Sequence, residues 1–350
     1  MTKNNTNINS LVASGILSLE PYQSARDECN VQEDSYTFLD ANEHPVPSKV
    51  NRYPDPYQTN LRKQIASTKG IPVEQILLGN GSDEVLDLIF RVFCEPGDNI
   101  ITLPPTYGMY RVLAEVHRVA VLEVLLTAEF QPDLASILQN TNYKTKLLFL
   151  CSPNNPSGNL MDPKIVRELL DTFPGMVVID EAYIDFADAK SWSALCGEYP
   201  NLIVLQTFSK AYGMAGIRLG MALAAPQVIG WLKKVKLPYN VNVLTQEFAS
   251  KQLLQIDAIK ASIALLQNER TILAETLKEI SFVEEVFPSD ANFLLVRFQQ
   301  ANETYKKLLE KGIVVRNRSN LPNCSNCLRI TVGTPEENKH LIKTLRSLQS

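Results

Sequence analysis

The chain has 350 residues, a length that suggests about two domains, and its 45% hydrophobic and 21% charged residues are those of an ordinary globular protein. A formal charge of −4, from 34 basic and 38 acidic residues, argues against a nucleic-acid footprint or a membrane-surface patch. Six cysteines in 350 residues are too sparse for a disulfide scaffold, and no run of about 18 apolar residues suggests a membrane span.

The first ten residues are polar and Asn-rich. The short apolar stretch Leu11 to Leu19 that follows is interrupted by Ser14, Gly15 and Ser18, with Lys3 the only charge ahead of it. This is a poor secretory signal, so a cytoplasmic location is expected. Further along, the apolar pair Leu77-Leu78 leads through Gly79-Asn80-Gly81-Ser82-Asp83-Glu84 into a helical run, Val85 to Phe93. Backbone N–H groups at such a helix start bind phosphate well. The same residues equally describe a Ser-capped helix with acid in its first turn. Tyr107 follows Pro104-Pro105-Thr106 and could stack on a flat ring or simply join the core.

Three short apolar runs then carry the central argument. Leu147-Leu148-Phe149-Leu150 leads into Ser152-Pro153-Asn154-Asn155-Pro156-Ser157-Gly158. Met176-Val177-Val178-Ile179 leads into Asp180, and Leu202-Ile203-Val204-Leu205 into Thr207-Phe208-Ser209-Lys210. Runs apolar on both faces, alternating with helical patterns, predict buried strands of a largely parallel sheet covered on both sides. Ligands bind beyond the carboxyl ends of such strands, so Asn155, Asp180 and Lys210 are expected at one rim.

Each of these residues admits a chemical and a plain reading. A lysine at an apolar strand end is desolvated and becomes a nucleophilic amine, although an isolated lysine there often just opens a helix. A carboxylate after four apolar residues needs a partner: a cofactor's pyridinium nitrogen, a structural cation or a helix N-terminus. Tyr183 and Asn155 could each reach a phenolic oxygen on the cofactor ring, or be a half-buried tyrosine and a turn-shaping Asn. Arg218, in Ala215-Gly216-Ile217-Arg218-Leu219-Gly220, could complete an oxyanion cradle with Thr207 and Ser209, or form a surface salt bridge.

From about Val243 to Ile280 the pattern is that of a long connecting helix, broken near Ile256-Asp257. A strand at Asn292–Val296, a helix at Tyr305–Glu310 and strands at Gly312–Arg316 and Cys327–Val332 follow, which suggests a smaller α+β domain. Arg316 and Arg329 lie in apolar strand contexts and call for a bidentate anion, either a protein carboxylate or a substrate group. Cys324 and Cys327 form one CxxC with no second ligand pair near it, and are read as loop thiols rather than a zinc site. His44 and His117 are read as structural.

Assembled, these motifs make the sequence resemble the histidinol-phosphate aminotransferases, a family within the fold-type-I aminotransferases. The resemblance runs from Pro21-Tyr22-Gln23-Ser24-Ala25-Arg26 to Arg329-Ile330-Thr331-Val332-Gly333. It includes Asn42-Glu43, Asn51-Arg52-Tyr53-Pro54, Pro105-Thr106-Tyr107-Gly108-Met109-Tyr110, Ser152 to Gly158, Asp180 to Tyr183 and Ser209-Lys210 to Gly220. The chain departs from the family's commonest pattern at His44, where Asn is frequent, and at Ser157, where Thr is frequent.

The resemblance implies an α/β fold: a large domain, residues 31–245, with a mostly parallel seven-stranded sheet covered by helices, and a connecting helix with a smaller α+β domain, residues 246–350. Residues 1–30 would be an arm packed on the small domain or on a partner. It implies pyridoxal 5′-phosphate held by Lys210 as an imine, with Asp180 on the pyridine nitrogen, and Asn155 and Tyr183 on the phenolic oxygen. Tyr107 would stack on the ring. Ser82, Asp83, Thr207, Ser209 and Arg218 would hold the phosphate, joined in a homodimer by Tyr53 of the partner. Tyr22, Asn155, Arg316 and Arg329 would contact substrate, and Lys210, Asp180 and Tyr183 would be catalytic. The implied substrates are L-histidinol phosphate and 2-oxoglutarate, with glutamate as product, in histidine biosynthesis. An aromatic or broad-range aminotransferase, a phospho-amino-acid decarboxylase and a non-catalytic cofactor-binding module remain as alternatives on the same fold.

Overall fold

The computed structural model describes residues 7–22 and 37–348. Seven strands, β1 (Ile76–Asn80), β2 (Asn99–Thr102), β3 (Ala120–Glu123), β4 (Thr145–Cys151), β5 (Met176–Asp180), β6 (Leu202–Thr207) and β7 (Leu219–Ala224), form one sheet in the order β1-β7-β6-β5-β4-β2-β3. β7 is antiparallel to both β1 and β6, and the other pairs are parallel.

The apolar runs divide their side chains between two cores, as the two-residue period of a strand requires. Leu148, Leu150, Val177, Ile179 and Val204 join one core, whereas Leu147, Phe149, Val178, Ile203 and Leu205 join the other. Helices complete both layers, among them Gly81–Phe93, Met109–Val116 and Pro226–Val235 on the second face and Thr59–Lys69 and Pro163–Thr172 on the first.

Topology fixes the rim. β1, β2, β4, β5 and β6 all run toward the same edge, so Gly81, Tyr107, Asn155, Asp180 and Lys210 follow strand ends there. β7 runs the other way, and Arg218, just before its first residue, therefore reaches the same edge.

A second, wholly antiparallel sheet contains β8 (Val283–Val286), β9 (Phe293–Phe298), β10 (Arg316–Asn317) and β11 (Cys327–Thr331) in the order β10-β11-β9-β8. Its apolar face packs on helices Ala301–Glu310, Pro335–Ser347 and the C-terminal half of Ile256–Lys278.

The connecting helix does break close to the expected place, at Leu254-Gln255, between Val243–Leu253 and Ile256–Lys278. Several other expectations are corrected. The short helix begins earlier, at Ala301. The strand expected over Gly312–Arg316 starts only at Arg316: Gly312, at φ +79, ends the helix, and Ile313 N–H turns back to Leu308 O at 2.9 Å. β8, with two exposed glutamates, was not apparent in the sequence. The described part of the arm packs on the large sheet's helices instead of the small sheet. Ile8 and Val12 are buried there, and Ala13 N–H donates to Val92 O at 2.7 Å.

Candidate active site

Lys210, Asp180, Asn155, Tyr183, Tyr107, Ser82, Asp83, Thr207, Ser209 and Arg218 line a single cavity of about 240 Å³ at the rim. Cys151, Ala182 and Ala215 complete its wall.

Asp180 ends β5 and is only 4% exposed. Its Oδ2 accepts from the Tyr110 hydroxyl at 2.8 Å and its Oδ1 from Ala182 N–H at 3.1 Å. Burial raises its pKa, and these two hydrogen bonds oppose the rise. Among the described residues no lysine or arginine forms an ion pair with it, although the Lys210 charge acts on it across the cavity that it lines. Lys210 stands across that cavity in the turn after β6, with Nζ 5.7 Å from the centre of the Tyr183 ring. The cavity walls, and then the positive charges of Arg329 and Arg218, lower its pKa.

The helix Gly81–Phe93 opens at the rim, where its first-turn N–H groups lack intrahelical acceptors. Two glycines let its start approach its neighbours. A Cβ on Gly220 of β7 would sit 2.2 Å from Ser82 N, and one on Gly81, at φ +78, would sit 2.8 Å from Arg218 Nη2. Arg218 Nη2 lies 3.4 Å from Asp83 Oδ2, its only described acidic partner. Thr207 Oγ1 donates to Ser209 Oγ at 3.0 Å and accepts from Ser209 N–H at 3.1 Å, so the two hydroxyls share one corner.

Tyr107 donates to Asp83 Oδ1 at 3.1 Å and meets Tyr110 edge-on at 5.6 Å. Tyr183 is buried, which raises its phenol pKa, and its ring meets Phe293 of β9 at 5.0 Å. Arg329 of β11 donates to Asn155 Oδ1 at 2.5 Å, joining the small sheet to the cavity wall. Arg316 lies directly opposite Arg329 in the strand register and is exposed.

Tyr53 and Tyr22 are not brought to this cavity. Tyr53 is 54% exposed and stacks on Tyr239 at 4.5 Å, and Tyr22 is 75% exposed. Tyr110, which was not singled out from the sequence, is fully buried beneath Asp180. It lies in the first turn of the helix Met109–Val116, and nothing in its spacing set it apart from core. His117 pairs with Asp87 at 2.7 Å and stacks on Phe90, away from the cavity, and His44 is exposed. A larger groove of about 660 Å³ lies beside Lys69 and Tyr212, but there the ammonium is already paired with Asp185 at 3.6 Å. Cys324 and Cys327 are buried free thiols, and no described cluster of three or more His, Cys, Asp or Glu could hold a metal.

These residues fit pyridoxal 5′-phosphate. A buried carboxylate suits a protonated ring nitrogen, a lowered-pKa amine suits an aldehyde, and the helix start with Arg218 and two hydroxyls suits a phosphate. Residues 36–345 match the family model described as aminotransferase class I and II. The chain is 55% identical over 345 residues to a histidinol-phosphate aminotransferase of Christiangramia forsetii, covering 98% of this chain and 99% of that one. It is similar in structure to the histidinol-phosphate aminotransferase of Clostridium acetobutylicum, with a TM-score of 0.79 and 25% identity over 86% of this chain and 91% of that one. The Sinorhizobium meliloti histidinol-phosphate aminotransferase, solved in complex with pyridoxal-5′-phosphate, gives a TM-score of 0.77 at 25% identity, covering 85% and 84%.

Proposed function

The chain belongs to the class I and II aminotransferases, and on that premise we propose that it moves an amino group from L-histidinol phosphate to 2-oxoglutarate. The products are imidazole-acetol phosphate and L-glutamate, as a step of histidine biosynthesis. The observation that carries this reading is the sharing of one cavity by the Lys210 amine and the buried Asp180 carboxylate, with Arg329 of the small sheet bonded to Asn155 in its wall.

Pyridoxal 5′-phosphate, when bound, supplies an aldehyde that condenses with amines and a ring that withdraws electrons from the amine-bearing carbon. Asp180 would hold the pyridine nitrogen and favour its protonated form. Asn155 and Tyr183 orient the phenolic oxygen, and Tyr107 covers the ring. Ser82 and Asp83 at the helix start, with Thr207, Ser209 and Arg218, hold the phosphate. Lys210 Nζ, which lines the cavity, would be the amine that holds the aldehyde. Burial, with Arg329 and Arg218 nearby, lowers its pKa, the direction that suits a general base which would move a proton at the substrate's amine-bearing carbon.

Arg316 and Arg329, with Tyr22, receive the phosphate of one substrate and the carboxylate of the other in turn, since a guanidinium fork fits either group. The enzyme works as a cytoplasmic homodimer in which Tyr53 serves the partner's site. Tyr53 is exposed and is not among the residues that line its own cavity, which supports that reading. No helix among the described residues is long and apolar enough to cross a membrane.

The test is a donor panel of histidinol phosphate, phenylalanine and threonine phosphate with 2-oxoglutarate, reading glutamate formation. A kcat/KM for histidinol phosphate about tenfold or more above that for phenylalanine is expected. No glutamate from histidinol phosphate would overturn the assignment, and carbon dioxide release from threonine phosphate would favour the decarboxylase.

A further inference from the structure

The edge of the small sheet carries one more cation than the proposed chemistry uses. Arg316 faces Arg329 and Asn317 faces Leu328 in the β10–β11 ladder, and Arg318 N–H donates to Cys327 O at 2.9 Å, extending that ladder one residue. Residues two apart on a strand share a face. Arg318 therefore stands beside Arg316 and Arg329, while Leu328 between them turns into the small core. Its Nε is buried without a hydrogen-bond partner among the described residues. Arg329's one side-chain hydrogen bond among the described residues goes to the neutral amide oxygen of Asn155, and none of the three guanidinium groups has a described carboxylate within ion-pair distance.

The contrast with Arg297 on β9 of the same sheet is informative. That guanidinium is paired with Glu285 of β8 at 2.5 Å, which is how this sheet treats a structural arginine. Burial, then the like charges of Arg329 and Arg316, lower the pKa of Arg318, and Tyr183 of the cavity wall lies close enough to oppose this. Three crowded cations with no acid are costly until an anion arrives.

We propose that Arg318 is a specificity residue of the substrate-anion site, supplying the third positive charge that favours a dianionic phosphate monoester over a single carboxylate. This rests on the reading that the donor is phosphorylated. Arg316 and Arg329 already match the fork of a carboxylate. A phosphate monoester, with a second pKa of about 6, carries nearly two charges and a third acceptor oxygen at neutral pH.

The experiment uses the cofactor-loaded enzyme and follows the donor half-reaction by its visible band, with histidinol phosphate and with glutamate. In Arg318→Gln the ratio of the two kcat/KM values is expected to fall about tenfold to a hundredfold in disfavour of the phosphorylated donor. Inhibition of the glutamate reaction by inorganic phosphate should weaken in parallel. Arg318→Lys, which keeps the charge, should retain much of the preference, and Arg318→Met carries the same expectation as Gln should that variant not fold. An unchanged ratio, or equal losses with both donors, would mark Arg318 as a packing residue and overturn the proposal. An unaltered enzyme that accepts glutamate but not histidinol phosphate would instead sink the functional reading, and phosphate inhibition would still decide the role of Arg318.

Discussion

The Tyr110 hydroxyl donates to Asp180 Oδ2 at 2.8 Å from beneath the cavity floor, with both residues nearly or fully buried. The bond is one of two that hold Asp180 ionised against the desolvation that raises its pKa. Tyr110→Phe would let Asp180 take up a proton more readily, and a neutral carboxyl cannot keep the ring nitrogen protonated. A hydrogen bond to a charged group is worth roughly 1.5–3 kcal/mol, so turnover should fall about tenfold to a hundredfold, with weaker cofactor binding. Cofactor titration and steady-state rates check this, and unchanged values for both would contradict it.

Glu181, beside Asp180 but aimed at the opposite face, gives a pH signature. Buried at 1% exposure, it accepts from Ser191 Oγ, Trp192 N–H and Gln206 Nε2, and burial still pushes its pKa up to about 7. The folded chain thus holds this proton more tightly than the unfolded chain, whose glutamates titrate near 4.5. Its contribution to stability is complete below that value and is lost as pH rises through about 7. The loss is roughly 3 kcal/mol between those limits. In chemical unfolding across pH 4 to 8, Glu181→Gln should flatten this decline. A wild-type-like slope in the variant would assign the pH dependence elsewhere.

Gly220 tests the phosphate cradle without touching a charged group. A methyl there would lie 2.2 Å from Ser82 N, so Gly220→Ala must push the helix start away from β7. Overpacking of this kind costs about 1–3 kcal/mol, and the displaced N–H groups should weaken cofactor binding as well. Thermal unfolding and cofactor titration measure the two effects, and a variant with wild-type affinity would show that the helix start is not part of the cradle.

Tyr53 tests the sharing of sites between subunits. In the proposed homodimer, the Lys210→Ala and Tyr53→Ala forms should each be weak, whereas mixed dimers carrying one subunit of each would contain one site with neither change. Recovery of activity on mixing unfolded and refolded subunits is expected. No recovery would mean that Tyr53 serves its own chain or neither site.

Much of this site is legible in the sequence. The runs ending at Leu150, Ile179 and Leu205 are apolar on both faces because each strand feeds two cores, and that pattern implies a covered parallel sheet with a functional rim. The rim then gathers Asn155, Asp180 and Lys210 whatever the loops between them do. Tyr110 was hidden because an aromatic at helical spacing reads as core, and only the sheet order puts its helix beneath Asp180. Arg318 was hidden by a shifted strand. The apolar residues Ile313 to Val315 suggested pairing there, but Gly312 closes the preceding helix and the ladder begins at Arg316. Tyr53 and Tyr22 came from family resemblance alone, and a single chain does not bring either to the cavity.

In the proposed enzyme the Lys210 amine bonds the cofactor opposite Asp180. Borohydride reduction of the purified enzyme, followed by proteolysis and mass spectrometry, reads this directly. The phosphopyridoxyl adduct is expected on the peptide containing Ser209-Lys210-Ala211 and nowhere else, and it should vanish in Lys210→Ala. An adduct on another lysine, or none in a protein that retains its visible band, would contradict it.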